Sequence, residues 1–259
     1  MRVATRRQRA ALRIVAAHLR RKRLSPLRDG LRELGQRLGT VRDLDVLLEK
    51  LAAYRAEQEP AAVAALQPLV DAWQVRREAA RRDLLAHLDS HGYAAFKESY
   101  GSFLDTPGAG LRRGRDGDVP RPSLVAHVVP AEVWAHYGAL RAFEPTLRWA
   151  SVPTLHALRI EGKRLRYLLE FFREVLDPGV EQPIAAMVAL QDHLGDLHDA
   201  DVTVERIREF LAQPAAASQP EVAAAAGGYL EHVAAHLEAL RRSVKHVWRP
   251  VANHRFRTA

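Results

Sequence analysis

Apolar residues recur along this chain at the three- and four-residue steps of one helix face, and almost never alternate with polar ones. The clearest stretch is Leu155, Leu158, Leu165, Leu168, Leu169 and Phe172. Runs of Val, Ile, Thr and aromatics at period two are nearly absent, so strands are not expected. The pattern predicts helices near 1–23, 26–57, 60–90, 92–104, 124–148, 153–176, 181–212 and 219–248. Pro26, Pro60, Pro153 and Pro220 fall near helix starts, where a missing N–H is harmless, and Pro178 and Pro250 follow helix ends. Residues 106–122, TPGAGLRRGRDGDVPRP, are too rich in glycine and proline to continue a helix and read as a linker. The expected fold is therefore all-α: two tandem four-helix bundles, 1–105 and 123–259, joined by 106–122.

The two halves resemble each other. Arg2-Val-Ala-Thr-Arg6-Arg7-Gln-Arg9 matches Arg159-Ile-Glu-Gly-Lys163-Arg164-Leu-Arg166 at an offset of 157. Leu38-Gly-Thr-Val-Arg-Asp43-Leu-Asp45-Val46 matches Leu194-Gly-Asp-Leu-His-Asp199-Ala-Asp201-Val202 at an offset of 156. Two blocks matched at nearly one offset mark a duplication of one bundle.

The matched blocks carry basic stripes. On a helix, Arg2, Arg6, Arg9, Arg13 and Arg20 fall within an arc of roughly 60° along about 27 Å. His156, Arg159, Lys163 and Arg166 fall within about 80°, beside the apolar face and bordered by Tyr167 and Phe171. A cationic row next to a core face is expected to line a groove between helices. Like charges at i, i+3 and i+4 repel, so such rows call for an anion. Arginine's planar fork suits phosphate oxygens, and a histidine at the rim gains charge near them. The stripes lack the interspersed acids of an ordinary solvated face.

Charge supports this and restricts it. The 259 residues hold 39 Lys and Arg against 31 Asp and Glu, a net +8, which points to a polyanionic partner. Residues 1–105 carry 20 basic and 13 acidic side chains, whereas 123–259 carry 15 and 16. A basic site in the second half must then be a local stripe. There is no cysteine, so disulfides, thiolate metal sites and cysteine nucleophiles are excluded. No uncharged apolar run approaches the roughly 18 residues of a membrane span, and the arginine-rich start does not read as a secretory signal. The expected location is cytoplasmic.

Other candidates have simpler readings. Asp43 and Asp45, like Asp199 and Asp201, point about 200° apart on a helix and are expected to hold arginines across a bundle rather than chelate an ion. His193 and His198 lie five apart, too poorly aligned for a zinc pair without a third ligand. His232 and His236 read as helix surface. No metal or other cofactor is expected. Gly39 and Gly195 are expected to permit close packing or a bend, and Trp73, Trp134, Trp149 and Trp248 to anchor the core or the bundle ends. After Glu238 come Arg241, Arg242, Lys245, Arg249, Arg255 and Arg257, either an extension of the basic site or a solvated helix end. Arg241 and Lys245 share a face and join the candidate site.

LHALRIEGKRLRYLLEFFREVL at 155–176, with LQDHLGDLHDADV at 190–202, resembles the CHAD family, the conserved histidine α-helical domain. RVATRRQRAAL at 2–12 and LGQRLGTVRDLDVLL at 34–48 resemble its first repeat, and the likeness extends to VWRP near the end. The resemblance implies two bundles about a pseudo-two-fold axis with a basic central cavity that binds inorganic polyphosphate. It implies association with polyphosphate granules or with a CYTH (triphosphate-tunnel) protein, although the chain itself has no strand-rich half for such a domain. The motif maps onto His156, Arg159, Lys163, Arg164 and Arg166, and onto Arg2, Arg6, Arg7 and Arg9. The counterpart of His156 would fall before Met1, so either the motif starts upstream or the first repeat lacks that histidine.

The expected function is thus a binding module, not an enzyme, that clamps a linear polyphosphate between the two stripes. One alternative is a nucleic-acid-binding helical protein. Against it stand the position of the cations beside the core face and the absence of an interleaved aromatic array. Another is cleavage of phosphoanhydrides with His156 as acid or base, for which no convincing metal set is present.

Overall fold

The structure, a computed structural model, describes residues 1–112, 125–253 and 256. It is all-α. Among the described residues the sole β feature is an isolated antiparallel bridge between Leu19 and Leu111. The chain divides into two compact units, Met1–Val119 and Pro120–Ala259.

In the first unit, α1 (Arg2–Ile14) is followed by a 3-10 turn (Val15–His18) and then by α2 (Arg21–Arg55). After α2 come the short α3 (Pro60–Ala65), α4 (Gln67–Leu88) and α5 (His91–Asp105). The central element is α2, against which α1, α4 and α5 pack. Its leucines Leu24, Leu27, Leu31 and Leu34 are buried at helical spacing, and Trp73 of α4 is 1% exposed. The ring of Phe96 on α5 lies so close to Gly30 of α2 that any Cβ there would collide with it.

The sequence pattern runs the first helix to residue 23, but the helix ends at Ile14. Leu19 and Arg20 are extended. Their backbone is satisfied from elsewhere in the unit: Arg20 N–H donates to the Gly110 carbonyl (2.7 Å), and Arg112 N–H donates to that of His18 (2.9 Å). Periodicity cannot register a partner about ninety residues away. The start of the expected linker is accordingly built structure. Gly108 and Gly110 have φ of +72° and +80°, which only glycine adopts freely, and a Cβ on Gly110 would come within 2.9 Å of Phe103. Residues 113–122 of that linker lie outside the described residues, as do Arg255 and Arg257. Pro26 does not open a helix either; it sits inside α2, exposed, where the carbonyl deprived of its donor faces water.

In the second unit, α6 (Val125–Arg141) leads through a 3-10 turn to α7 (Val152–Phe171). Two further 3-10 turns precede α8 (Glu181–Leu211), the four-residue α9 (Pro214–Ala217) and α10 (Pro220–Ala252). Ser151 caps α7 by accepting from Thr154 N–H, and Pro153 occupies its first turn. Pro250 lies within α10 instead of after it. The central element is α8, with α7 and α10 against it and α6 against α7. The core joins Leu155, Leu158, Leu165 and Leu169 of α7 to Met187, Leu190, Leu194 and Leu197 of α8 and to Val244 and Trp248 of α10.

Two of the four tryptophans contradict expectation. Trp73 and Trp248 are core residues, but Trp134 and Trp149 are 52% and 70% exposed. No helix among the described residues is long and apolar enough to cross a membrane.

Candidate anion-binding site

The cationic row of α7 is anchored by its neighbour on the core side. Leu155, Leu158, Leu165 and Leu168 are buried, which leaves His156 exposed and Arg159, Lys163, Arg164 and Arg166 half-buried along the edge of the α7–α8 contact. Gly162, in the middle of the row, is buried against Gln191 of α8. Gln191 donates from Nε2 to the Arg159 carbonyl (3.3 Å). About two turns further along the pair, the rings of His156 and His198 stand 5.0 Å apart, centroid to centroid. Gly162 with Gln191, and His156 with His198, set α7 and α8 antiparallel.

His198 is the residue that sequence reasoning passed over. Its spacing suggests only half of a poor zinc pair with His193, yet it faces His156 and the cationic row of α7. Burial first, then Arg159, then His156, push its imidazole from the ordinary 6.5 down to about 4; Lys163 adds to this and Asp199 opposes it. A neutral histidine is thus held among cations. Its place in LHDADV, seven residues (two helical turns) after Gln191, was the available signal. His193 is used otherwise: its Nε2 lies 2.9 Å from the Leu240 carbonyl of α10, which can only accept, so the histidine donates. Among the described residues, no three His, Asp or Glu converge to hold a metal ion.

The row is not uniformly free of acids. Arg164 pairs with Glu161, and Arg166 Nε pairs with Glu170 at 2.6 Å while its guanidinium lies 5.9 Å from the Tyr167 ring centre. The pattern argument counted cations on one stripe and missed carboxylates three and four residues away on its flank. His156, Arg159 and Lys163 gather around the neutral His198.

In the first unit, Arg2, Arg6, Arg7, Arg9 and Arg13 all lie on α1 and are exposed. Arg9 crosses toward α2, and its Nη1 would stand 3.0 Å from a Cβ on Gly35. The duplication is visible here in mirror form. Thr5 and Gly35 occupy the positions of Gly162 and Gln191, so the small residue has changed helices. Thr5 is buried, with its methyl 3.7 Å from the Gly35 Cβ position.

Arg20 is not on this stripe. It stands at the extended junction before α2 and donates from Nε to the Leu111 carbonyl (3.0 Å). Arg241 also has a local use: it pairs with Glu238 at 2.8 Å and donates to the Ala150 carbonyl at 3.2 Å, tying α10 to the segment before α7. Lys245, on the same helix, is exposed. Asp45 meets the expectation for the aspartates, binding Arg77 of α4 at 2.7 Å. Gly39 and Gly195 do not show the close packing expected of them: among the described residues no neighbouring side chain or element comes within 4 Å of a Cβ at either.

Comparison with known proteins agrees with this architecture. Among solved structures, PptA from Streptomyces chartreusis is similar with a TM-score of 0.70 and 17% identity, over 95% of this chain and 87% of that one. At that identity the likeness is one of fold. The CHAD domain from the plant Ricinus communis is similar with a TM-score of 0.71 and 25% identity, over 97% of this chain and 79% of that one. A search of curated proteins finds no match. The CHAD domain family model matches residues 1–208 and ends before the VWRP segment, to which the sequence resemblance extends. With four-fifths of its length matched, including both basic rows and both aspartate motifs, the chain belongs to the CHAD domain family.

Proposed function

We propose that this protein binds inorganic polyphosphate, using the α7–α8 cluster of His156, Arg159, Lys163 and His198 and the α1 row of Arg2, Arg6, Arg7 and Arg9. The observation that carries the reading is the gathering of Arg159, Lys163 and His156 around His198, whose ring stands 5.0 Å from that of His156. Burial first and then these positive charges depress its imidazole, and the same charges favour an anion placed beside them. A phosphate chain docked on Arg159 and Lys163 lowers that repulsion, lets His198 take up a proton, and gains a further donor. Arginine forks bind the phosphate oxygens, lysine supplies a compact charge, and release of counterions from the polyanion drives association. The cations bind and orient a ligand and no bond is broken, so the protein is a binding module rather than an enzyme.

The finer reading is that one phosphate chain is clamped by both rows. Single exposed ion pairs are weak, and affinity then comes from many contacts on one linear ligand. Such a clamp favours long chains steeply over short ones. Granules of polyphosphate, or a CYTH protein handling triphosphate, are the partners that fit this role.

The test is binding of long-chain polyphosphate across a salt series, with single-stranded RNA and duplex DNA of matched charge as competitors. Arg159→Ala/Lys163→Ala should weaken binding at least tenfold and flatten the log–log salt slope by about 1.4, at about 0.7 per lost contact on a single-stranded polyanion. Arg164→Ala/Arg166→Ala should do less, since those two pair with Glu161 and Glu170 on the flank and do not act on His198. Equal affinity of the first variant, with helix content intact, would sink the site. Nucleic acid winning at physiological salt would sink the ligand.

A further inference from the structure

Three helix-interior glycines of this protein have a close neighbour. Gly30 meets Phe96, Gly35 meets Arg9 and Thr5, and Gly162 meets Gln191. Gly39 of α2 and Gly195 of α8 meet nothing: a Cβ at either would have no protein atom within 4 Å among the described residues. Glycine is a poor helix former, so two packing-free glycines in long helices weaken those helices without a structural return. They are also the same position of the duplication, 156 residues apart.

Their placement says what they leave room for. Gly195 follows Gln191 by four residues and precedes His198 by three, so it lies on the face of α8 that both of those turn to α7. In the antiparallel register set by Gly162 with Gln191 and His156 with His198, Gly195 falls across from the Leu158–Arg159 step. In the first unit, the register set by Thr5 with Gly35 brings Gly39 across from Met1–Arg2. Arg2 and Arg159 are themselves repeat counterparts. In both copies, then, bare helix backbone stands opposite the first arginine of the cationic row.

Other open glycines do not share this arrangement. Gly101 of α5, Gly138 of α6 and Gly227 of α10 are equally free of neighbours, but none has a counterpart glycine at the repeat offset, and Gly138 is exposed.

We infer that Gly39 and Gly195 are specificity-determining positions, which hold open the ground beside each cationic row so that a linear phosphate chain can lie against the helix backbone and reach Arg2 and Arg159. The inference rests on the polyphosphate reading and adds to it two residues that carry no charge. A slender, unbranched chain passes over a glycine, whereas a bulkier polyanion gains nothing from the space. A Cβ placed there meets no neighbouring side chain or element within 4 Å among the described residues, so an added side chain is expected to spare the fold and obstruct the ligand.

The experiment compares Gly195→Leu, Gly39→Leu/Gly195→Leu and the control Gly138→Leu for long-chain polyphosphate affinity and urea midpoint. Gly195→Leu should bind at least tenfold more weakly, the double variant more weakly still, and the control as wild type. Urea midpoints of the two Gly195 variants should equal or exceed wild type. Wild-type affinity in the double variant, while Arg159→Ala/Lys163→Ala loses binding, overturns this inference and leaves the polyphosphate reading standing. A lowered midpoint in Gly195→Leu or in Gly195→Ala shows that the space serves packing and overturns it too. Failure of the wild type to bind polyphosphate removes both.

Discussion

The exchange of a small residue between helices in the two repeats can be tested as an energetic equivalence. In the second unit Gly162 of α7 receives Gln191 of α8; in the first, Thr5 of α1 faces Gly35 of α2. Gly162→Thr adds a Cβ that would stand well inside 3.0 Å of Gln191 Nε2 and 3.4 Å from Met187 Cε. Overpacking of this kind costs about 1–3 kcal/mol. The helix gains about 0.4 kcal/mol from losing a glycine, which leaves the single variant roughly 2 kcal/mol less stable. Gln191→Gly removes the 3.3 Å hydrogen bond to the Arg159 carbonyl, worth about 1 kcal/mol. It also brings a helix penalty of about 0.5 kcal/mol and a void, for a total near 2 kcal/mol. Combined, the two substitutions install the packing of the first unit. The double variant should then be only about 1 kcal/mol below wild type, a coupling of about 3 kcal/mol, at the upper end for residues in direct contact. Urea unfolding of the four proteins, compared at constant slope, measures that coupling. Additive losses, with the double variant near 4 kcal/mol below wild type, would refute the equivalence and with it the view that these contacts set the α7–α8 spacing that holds Arg159 and Lys163 beside His198.

Two further outcomes follow from the same structure. Because the folded state holds the His198 proton less tightly than the unfolded chain does, its contribution to stability is complete above pH 6.5 and is lost as pH falls from there through about 4. Wild type should therefore lose more urea stability than His198→Gln between pH 7 and pH 4; parallel losses would show that burial beside Arg159 and His156 does not govern the histidine. Gly110→Ala, at φ of +80° and with its new Cβ 2.9 Å from Phe103, should destabilise the first unit by about 1–3 kcal/mol in thermal or urea unfolding, and a neutral result would refute the need for glycine at the turn that pairs with His18 and Arg20.

By itself the sequence determined the secondary-structure class, the duplication and the identity of the cationic rows. Each is recorded locally: a 3.6-residue apolar period selects helix, the offset of 156 to 157 residues exposes the repeat, and Arg159-Ile-Glu-Gly-Lys163-Arg164 carries its charges in order. Only the tertiary structure decided where the first helix stops, because the hydrogen bonds that replace it come from Gly110 and Arg112. It alone divided the tryptophans into two buried and two exposed, drew His198 to His156, and turned Arg20 and Arg241 toward backbone carbonyls. Periodicity specifies which face of a helix a residue occupies, but not which residue distant in sequence is packed opposite it. Burial, pKa and the open space beside Gly39 and Gly195 depend on that second fact, since desolvation and charge–charge energies are set by distances through space.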